Sequence, residues 1–274
     1  MYEFKKVGLI VKFNDAGVSG TLNEVYNKLK SKGVDLLLDH TTRGLLGGPV
    51  TVDIETIGKE CDLAIIIGGD GTLLHAAREL VDFGVPLVGI NRGRLGFLVD
   101  VCPEKGLPLI DEILEGKYIA EQRFMFEASI LRDDELVHQS YAFNDVVLRI
   151  RDLLQIMEFE VYIDDSFVNC QRADGIIVST PSGSTAYSLS NGGPIVNPTL
   201  DAVVLQPICP HTLSSRSLVV SSDCEIKIHI CDKGVPSAQA VCDGQVYMDA
   251  QLGDVVRVRR KEKSVRLLHP LNYD

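Results

Sequence analysis

Five apolar residues in an unbroken row, Leu63-Ala64-Ile65-Ile66-Ile67, run directly into Gly68-Gly69-Asp70-Gly71-Thr72. A run without polar alternation is what a strand covered on both faces looks like, and such strands belong to parallel sheets flanked by helices. Downstream, Leu73–Phe83 puts Leu73, Ala77, Leu80 and Val81 on one side of a helix; Gly84 stops it, and Val85–Ile90 resumes as a second buried strand. Upstream, Lys6–Phe13 reads as a strand, while Leu22, Val25, Tyr26 and Leu29 mark one face of a helix closed by Gly33. Val34–Leu38 is again a strand, followed by a Gly-rich surface loop around Arg43–Pro49. Strands alternating with helices predict an α/β fold with a parallel sheet.

From about Glu121 the period changes. Short runs rich in Val, Ile, Phe and Tyr, such as Val146–Ile150, Phe159–Ile163, Gly175–Ser179 and Val203–Leu205, are broken by Asp, Asn, Gly and Pro. The expected organisation is a Rossmann-like α/β domain over residues 1–122 and a β-rich, β-sandwich-like domain over 123–252. In the C-terminal segment, 253–274, the runs Val255–Val258 and Val265–Leu268 can return to the first domain.

The 274 residues, 45% of them hydrophobic, suffice for a substantial core. A formal net charge of −11 argues against nucleic acid as a partner, because phosphate neutralisation demands a basic surface. No apolar run reaches the roughly 18 residues a membrane span needs. The stretch Met1–Phe13 reads as a strand and not as a signal peptide, so the cytoplasm is expected. Seven cysteines (Cys61, Cys102, Cys170, Cys209, Cys224, Cys231, Cys242) are scattered and never in Cys-x-x-Cys spacing, which predicts reduced, mostly buried thiols. The six histidines show no metal-ligand spacing, and no Gly-x-Ser-x-Gly elbow is present.

The glycine cluster lies where open α/β sheets bind ligands, just past the end of a buried strand and at the start of a helix. Glycines allow close backbone approach, and helix N-terminal amides favour an anion such as phosphate. Neither Gly-Lys-Ser/Thr nor Gly-x-Gly-x-x-Gly is present, so the P-loop and the dinucleotide fingerprint both fail. The plain alternative is a tight turn with Asp70 as its cap. A carboxylate among phosphate-binding amides, however, makes chemical sense beside a metal or a hydroxyl.

Gly68-Gly69-Asp70-Gly71-Thr72 resembles the signature of a kinase superfamily that includes the NAD kinases and the diacylglycerol and sphingosine lipid kinases, with phosphofructokinases more distant. A second stretch, Asp174-Gly175-Ile176-Ile177-Val178-Ser179-Thr180-Pro181-Ser182-Gly183-Ser184-Thr185-Ala186-Tyr187-Ser188, continues into Asn191-Gly192-Gly193-Pro194 and resembles the long NAD kinase motif. Without the family it reads as a strand leading to a loop dense in hydroxyls, with Tyr187 as a flat stacking surface. Asn91–Leu98 and Asp243-Gly244-Gln245 are further features similar to that family, so the resemblance spans residues 68 to 245.

By that resemblance Asn144 and Asp145 match an Asn-Glu element that hydrogen-bonds the adenine and ribose of NAD, with Asp replacing the usual Glu. Asp70, Gly71, Asp174, Thr185, Ala186, Tyr187, Ser190 and Gln245 are implied to line the NAD site. Gln155 stands where some relatives have His, and Arg172 where many bacterial members carry Arg, which favours NAD over NADH. Gly68, Gly69, Gly71 and Thr72 are implied to hold the ATP phosphates.

The resemblance implies transfer of the γ-phosphate of ATP to the 2′-hydroxyl of the adenosine ribose of NAD, giving NADP. It also implies a divalent ion such as Mg²⁺, NAD bound in the cleft between the domains, and a homodimer or homotetramer. Asp70 is the candidate general base. With a reference pKa of about 3.9 an aspartate cannot deprotonate an alcohol in advance, so the proton must move late, as bond formation acidifies the hydroxyl. Two rivals remain: a lipid kinase sharing the glycine motif, and a noncatalytic NAD(P)-binding regulator. The acidic charge and the Thr180–Ser188 loop oppose the first; Asp70 itself opposes the second.

Overall fold

The computed structural model describes residues 2–12, 16–46, 50–91, 96–99, 101, 103–151, 156–212, 215–231 and 237–271. The chain forms two compact units, Met1–Gln122 with Lys263–Asp274, and Arg123–Glu262.

The first unit is built on a seven-stranded sheet in the spatial order Thr51–Val52, Asp35–Asp39, Lys6–Val11, Leu63–Ile67, Leu87–Ile90, Val265–His269, Ile119–Arg123. The described pairings between these strands are parallel. Leu63–Ile67 is central and buried along its whole length, as its apolar run requires. The chain winds outward from Lys6–Val11 through two strands, then returns to lay Leu63–Ile67 on the other side of Lys6–Val11. That reversal makes the carboxyl end of Leu63–Ile67 a topological switch point, and Gly68–Thr72 begins there.

The helix after it spans Asp70–Leu80, beginning three residues before the apolar stripe that signals it. Gly69 is extended at its N-terminus (φ −105°), and its carbonyl accepts from Thr72 N–H (2.9 Å) and Leu73 N–H (3.3 Å). Helix Ser19–Ser31 buries Leu22, Val25 and Leu29. Two further helices carry weaker signals. Ile54–Glu60 has only seven residues and depends on its cap, Asp53, which accepts from Thr56 N–H at 2.7 Å. Pro103–Leu114 contains Pro108, a residue type that ordinarily breaks or kinks a helix interior.

The second unit is a β-sandwich of two six-stranded sheets whose described pairings are all antiparallel. Phe126, Ile130, Phe159 and Val256 from one sheet pack in a common core with Val146, Leu148, Ile176 and Met248 from the other. The last two runs of the chain separate: Val255–Arg260 pairs with Phe126–Arg132 in the sandwich, and Val265–His269 joins the parallel sheet beside Leu87–Ile90. Among the described residues no helix is long and apolar enough to cross a membrane.

In the second sheet three adjacent strands bring their ends together. Asp145 opens Asp145–Ile150 opposite Ser179, the last residue of Gly175–Ser179, and Val146 lies opposite Cys242, the last residue of Ala238–Cys242. The loops leaving these strands are therefore neighbours, although nearly 100 residues separate the most distant of them in sequence.

The expectation of mostly buried thiols holds for Cys61, Cys224 and Cys242 and fails for Cys170 and Cys209, which are exposed, with Cys231 half-buried; none of these six is in a disulfide. Cys170 faces outward because it lies on Ser166–Ala173, an edge strand whose first five residues are all exposed. Cys102 lies outside the described residues.

Candidate active site

In the first unit the half-buried side chain of Asp70 bends back onto residues 97–99. Its Oδ2 accepts from Phe97 N–H (3.0 Å), and its Oδ1 accepts from Leu98 N–H (3.2 Å) and Val99 N–H (3.0 Å). Three consecutive amides thus form a concave nest around one carboxylate. Gly96 leaves the room, since a Cβ there would stand 2.2 Å from Asp70 Oδ1. Gly68 N–H is used by Ile90 O (3.0 Å), and Thr72 N–H by Gly69 O. Beside Gly69 the space is open, with nothing within 4 Å of an added Cβ.

The second unit repeats the device. Asp243 and Gly244 turn the chain between Ala238–Cys242 and Val246–Ala250, both with positive φ (+52° and +65°), and Gln245 N–H donates to Cys242 O at 2.9 Å. Asp-Gly is the dipeptide that tolerates this turn. The Asp243 carboxylate accepts from the amides of Phe143 (3.0 Å), Asn144 (2.7 Å) and Asp145 (3.3 Å). Asn144 O accepts from Thr180 N–H at 2.8 Å, and Thr180 Oγ1 donates to Phe143 O at 2.7 Å. Gly183 then crosses so close that a Cβ on it would lie 2.1 Å from Asn144 O.

These contacts wall a cavity of about 300 Å³ that is lined by Asn144, Asp145, Ala186, Tyr187, Asp243 and Tyr247, among others. Ligand pockets start at about that volume, so the cavity suits one end of a dinucleotide. Tyr187 and Tyr247 are 45% and 58% exposed at its rim, high for aromatic rings and suited to stacking on a flat ligand. Asn144 Oδ1 is buried with no hydrogen-bond partner among the described residues, and buried acceptors in that state call for a donor. Burial, followed by the charge of Asp243, pushes the Asp145 carboxyl up to about 7.

Comparison with known proteins matches residues 7–118 to the ATP-NAD kinase N-terminal domain and residues 143–270 to the ATP-NAD kinase C-terminal domain. The chain is 45% identical to an NAD kinase of Teredinibacter turnerae over 98% of its own length and 93% of that protein, and 44% identical to one of Hahella chejuensis over 100% and 93%. This chain belongs to the ATP-NAD kinase family. As a member it is an enzyme, an NAD kinase that takes NAD and ATP. Its fold matches yeast NADH kinase complexed with NADH (TM-score 0.88, 25% identity, 97% of this chain and 83% of that one). It also matches an NAD kinase from Archaeoglobus fulgidus in complex with ATP (TM-score 0.74, 26% identity, 96% and 92%). The fold class read from the sequence is that of the NAD kinases.

Of the site residues expected from the sequence, Asn144, Asp145, Ala186 and Tyr187 line one cavity. Thr185 adjoins it in sequence, its Oγ1 donating to Ser182 O at 3.3 Å; Ser190 and Gln245 are exposed and, like Thr185, are not among the cavity-lining residues. Asp174 is exposed, and its carbonyl accepts from Ile150 N–H at 3.1 Å. Arg172 is 64% exposed, with Nε 3.9 Å from Glu158 Oε2. Gln155 lies outside the described residues, as do Arg92–Leu95. Asp243, Tyr247 and Arg149 were not predicted as site residues, yet they line the cavity of this NAD kinase. Asp243 had a visible signal in its Asp-Gly turn; Tyr247 and Arg149 had none, the first being one exposed residue of an alternating strand and the second the exposed residue near the end of a strand otherwise buried.

Two outcomes follow from this geometry. Gly183→Ala pushes a methyl into the backbone of Asn144 and should lower kcat/KM for NAD by about 10²-fold, the scale of an ångström misplacement, with the circular dichroism of the fold retained. Wild-type kcat/KM would refute the close-approach argument. Asp145 holds its proton to higher pH when folded (about 7) than when unfolded (about 3.9), so the native state binds the extra proton between those values and stability falls as pH rises through them. Asp145→Asn should therefore stabilise the protein at pH 8, on the order of 2 kcal/mol, and much less at pH 4. Calorimetric melting at both pH values checks this, and an equal shift at each would contradict it.

Proposed function

We propose that Asp70 is the general base of the NAD kinase reaction, accepting the proton of the adenosine-ribose 2′-hydroxyl as that oxygen attacks the γ-phosphorus of ATP. The observation that carries the proposal is the amide nest. A carboxylate has about four acceptor positions; among the described residues Leu98 and Val99 use both on Oδ1 and Phe97 uses one on Oδ2, which leaves one position on Oδ2 for a hydroxyl. The fixed carboxylate acts late, once bond formation has acidified the hydroxyl. The rest of the catalysis is positioning and charge stabilisation.

For NAD, the proposed contacts are Asn144 and Asp145 to adenine and ribose, with Tyr187 stacking and Thr185, Ala186, Asp174, Ser190 and Gln245 completing the site. The unpartnered Asn144 Oδ1 supports this, being an acceptor matched to an exocyclic amine. Arg172 is proposed to favour NAD over NADH. For ATP, the proposed phosphate contacts are Gly68, Gly69, Gly71 and Thr72, at the start of helix Asp70–Leu80, where backbone amides favour an anion. A divalent ion such as Mg²⁺ is expected with ATP. The described donors around Asp70 do not fit a protein-held ion, since three acceptor positions of the carboxylate face amides, so the cation is left to the phosphate oxygens. A cytoplasmic homodimer or homotetramer completes the proposal, on the resemblance and on the free cysteines.

A coupled assay of NADP formation from ATP and NAD tests the base. Asp70→Asn should keep KM for NAD within a few-fold and lower kcat by about 10²-fold or more, and unchanged turnover would remove Asp70 from that role. In the same assay Arg172→Ala should lower the preference for NAD over NADH, and an unaltered ratio would clear Arg172 of it.

A further inference from the structure

We infer that Glu158, Cys170 and Cys231 form a binding site for a thiophilic divalent cation of the zinc class, separate from the nucleotide cavity. The two Sγ atoms and a carboxylate oxygen all lie within 4.8 Å of one another, and Cys170 Sγ is 3.9 Å from Glu158 Oε1. A tetrahedral ion with metal–sulfur bonds of about 2.3 Å and metal–oxygen bonds of about 2.0–2.2 Å needs its ligand atoms about 3.5–3.8 Å apart. The observed spacing is already within about 1 Å of that requirement, which side-chain rotation alone can supply.

The backbone explains why residues so far apart in sequence meet. Met157–Ile163 and Ser166–Ala173 are antiparallel neighbours with Glu158 opposite Arg172 and Glu160 opposite Cys170. Cys231 follows Ile226–Ile230 on the other side of Met157–Ile163, and its N–H donates to Glu158 O at 3.0 Å. Glu158 is thus the middle strand's contribution, with Cys170 from the strand on one flank and Cys231 from the residue just past the strand on the other, tied to Glu158 by that backbone hydrogen bond. In Met157–Ile163 the buried residues Met157, Phe159 and Val161 alternate with Glu158, Glu160 and Tyr162, so the three candidate ligands stand on the outward face. Exposure of Cys170 gives an ion a path from solvent.

The donor set selects the class of ion. Two thiolates and a carboxylate suit zinc and its thiophilic neighbours, whereas Mg²⁺ and Ca²⁺ demand oxygen. Three protein ligands leave one tetrahedral position for water. Glu160 is not needed as the fourth, since its Oε2 accepts from Tyr162 Oη at 2.7 Å. The cluster has a cationic neighbour in Arg172, 3.9 Å from Glu158, which offsets the charge that two thiolates and a carboxylate would leave on a divalent ion. Nothing in NAD phosphorylation uses either thiol.

The test is titration of the full, reduced protein with Co²⁺, whose bonds to thiolate give charge-transfer absorption and whose tetrahedral sites give intense ligand-field bands. One Co²⁺ per chain is expected, displaced by Zn²⁺. The absorption should vanish in C170S/C231S, fall in C170S, whose exposed position spares the fold, and need at least about tenfold more Co²⁺ in E158Q, on the scale of a weakened metal shell. Absence of thiolate absorption at saturating Co²⁺, or its survival in C170S/C231S, would overturn the inference. Closure of the two sulfurs into a disulfide that, once reduced again, still takes up no Co²⁺ would overturn it as well.

Discussion

A carboxylate held by three consecutive backbone amides is the interaction on which both halves of this NAD kinase depend. Asp70 is gripped by Phe97, Leu98 and Val99, and Asp243 grips Phe143, Asn144 and Asp145. Charged acceptors make the stronger hydrogen bonds, roughly twice a neutral pair, and here they also fix residues 97–99 and 143–144, which lie outside the strands. In the first unit the amides order the carboxylate and, among the described residues, leave one of its acceptor positions open. In the second the carboxylate orders the amides, and through them the side chains of Asn144 and Asp145. The same chemistry serves a candidate base in one unit and a candidate substrate pocket in the other.

Glycine supplies the space that this arrangement needs. Gly96 lets Asp70 reach its nest, and Gly183 lets the hydroxyl-rich loop lie on Asn144; in both places a methyl would sit 2.2 Å or less from an oxygen. The buried strand Leu63–Ile67 sets the rest of the first unit, because a strand covered on both faces forces neighbours on both sides and brings the glycine loop to the switch point of the sheet. Asp145 shows the cost of the second arrangement. A carboxyl group buried to 4% exposure beside Asp243 is held against its own ionisation, and a ligand donor is what would relieve it.

Much of this was legible in the sequence. Leu63–Ile67 and Gly175–Ser179 occupy the residues their apolar runs mark, because burial on both faces leaves no other reading. Helix Asp70–Leu80 starts earlier than its stripe, since the first turn is polar and is set by the extended Gly69. Ile54–Glu60 and Pro103–Leu114 were not foreseen, one too short for a period and the other interrupted by Pro108. At the site, Asn144, Asp145, Ala186 and Tyr187 carried motif signals and do line one cavity, while Tyr247 and Arg149 reach it only through strand pairing. The pairing of Cys170 with Cys231 was equally hidden, because sequence spacing records neighbours along the chain and these two meet across three strands.

The amide nest of Asp243 is the central claim, and residue-resolved hydrogen exchange tests it most directly. In Asp243→Asn the side chain keeps its shape but loses its charge and at least one acceptor, each lost charged bond being worth about 1.5–3 kcal/mol. Exchange at Phe143, Asn144 and Asp145 should accelerate about 10- to 100-fold while Ile176–Val178 in the neighbouring strand stays protected, and NAD binding should weaken in step. Unchanged protection at residues 143–145 together with intact NAD binding would contradict the claim.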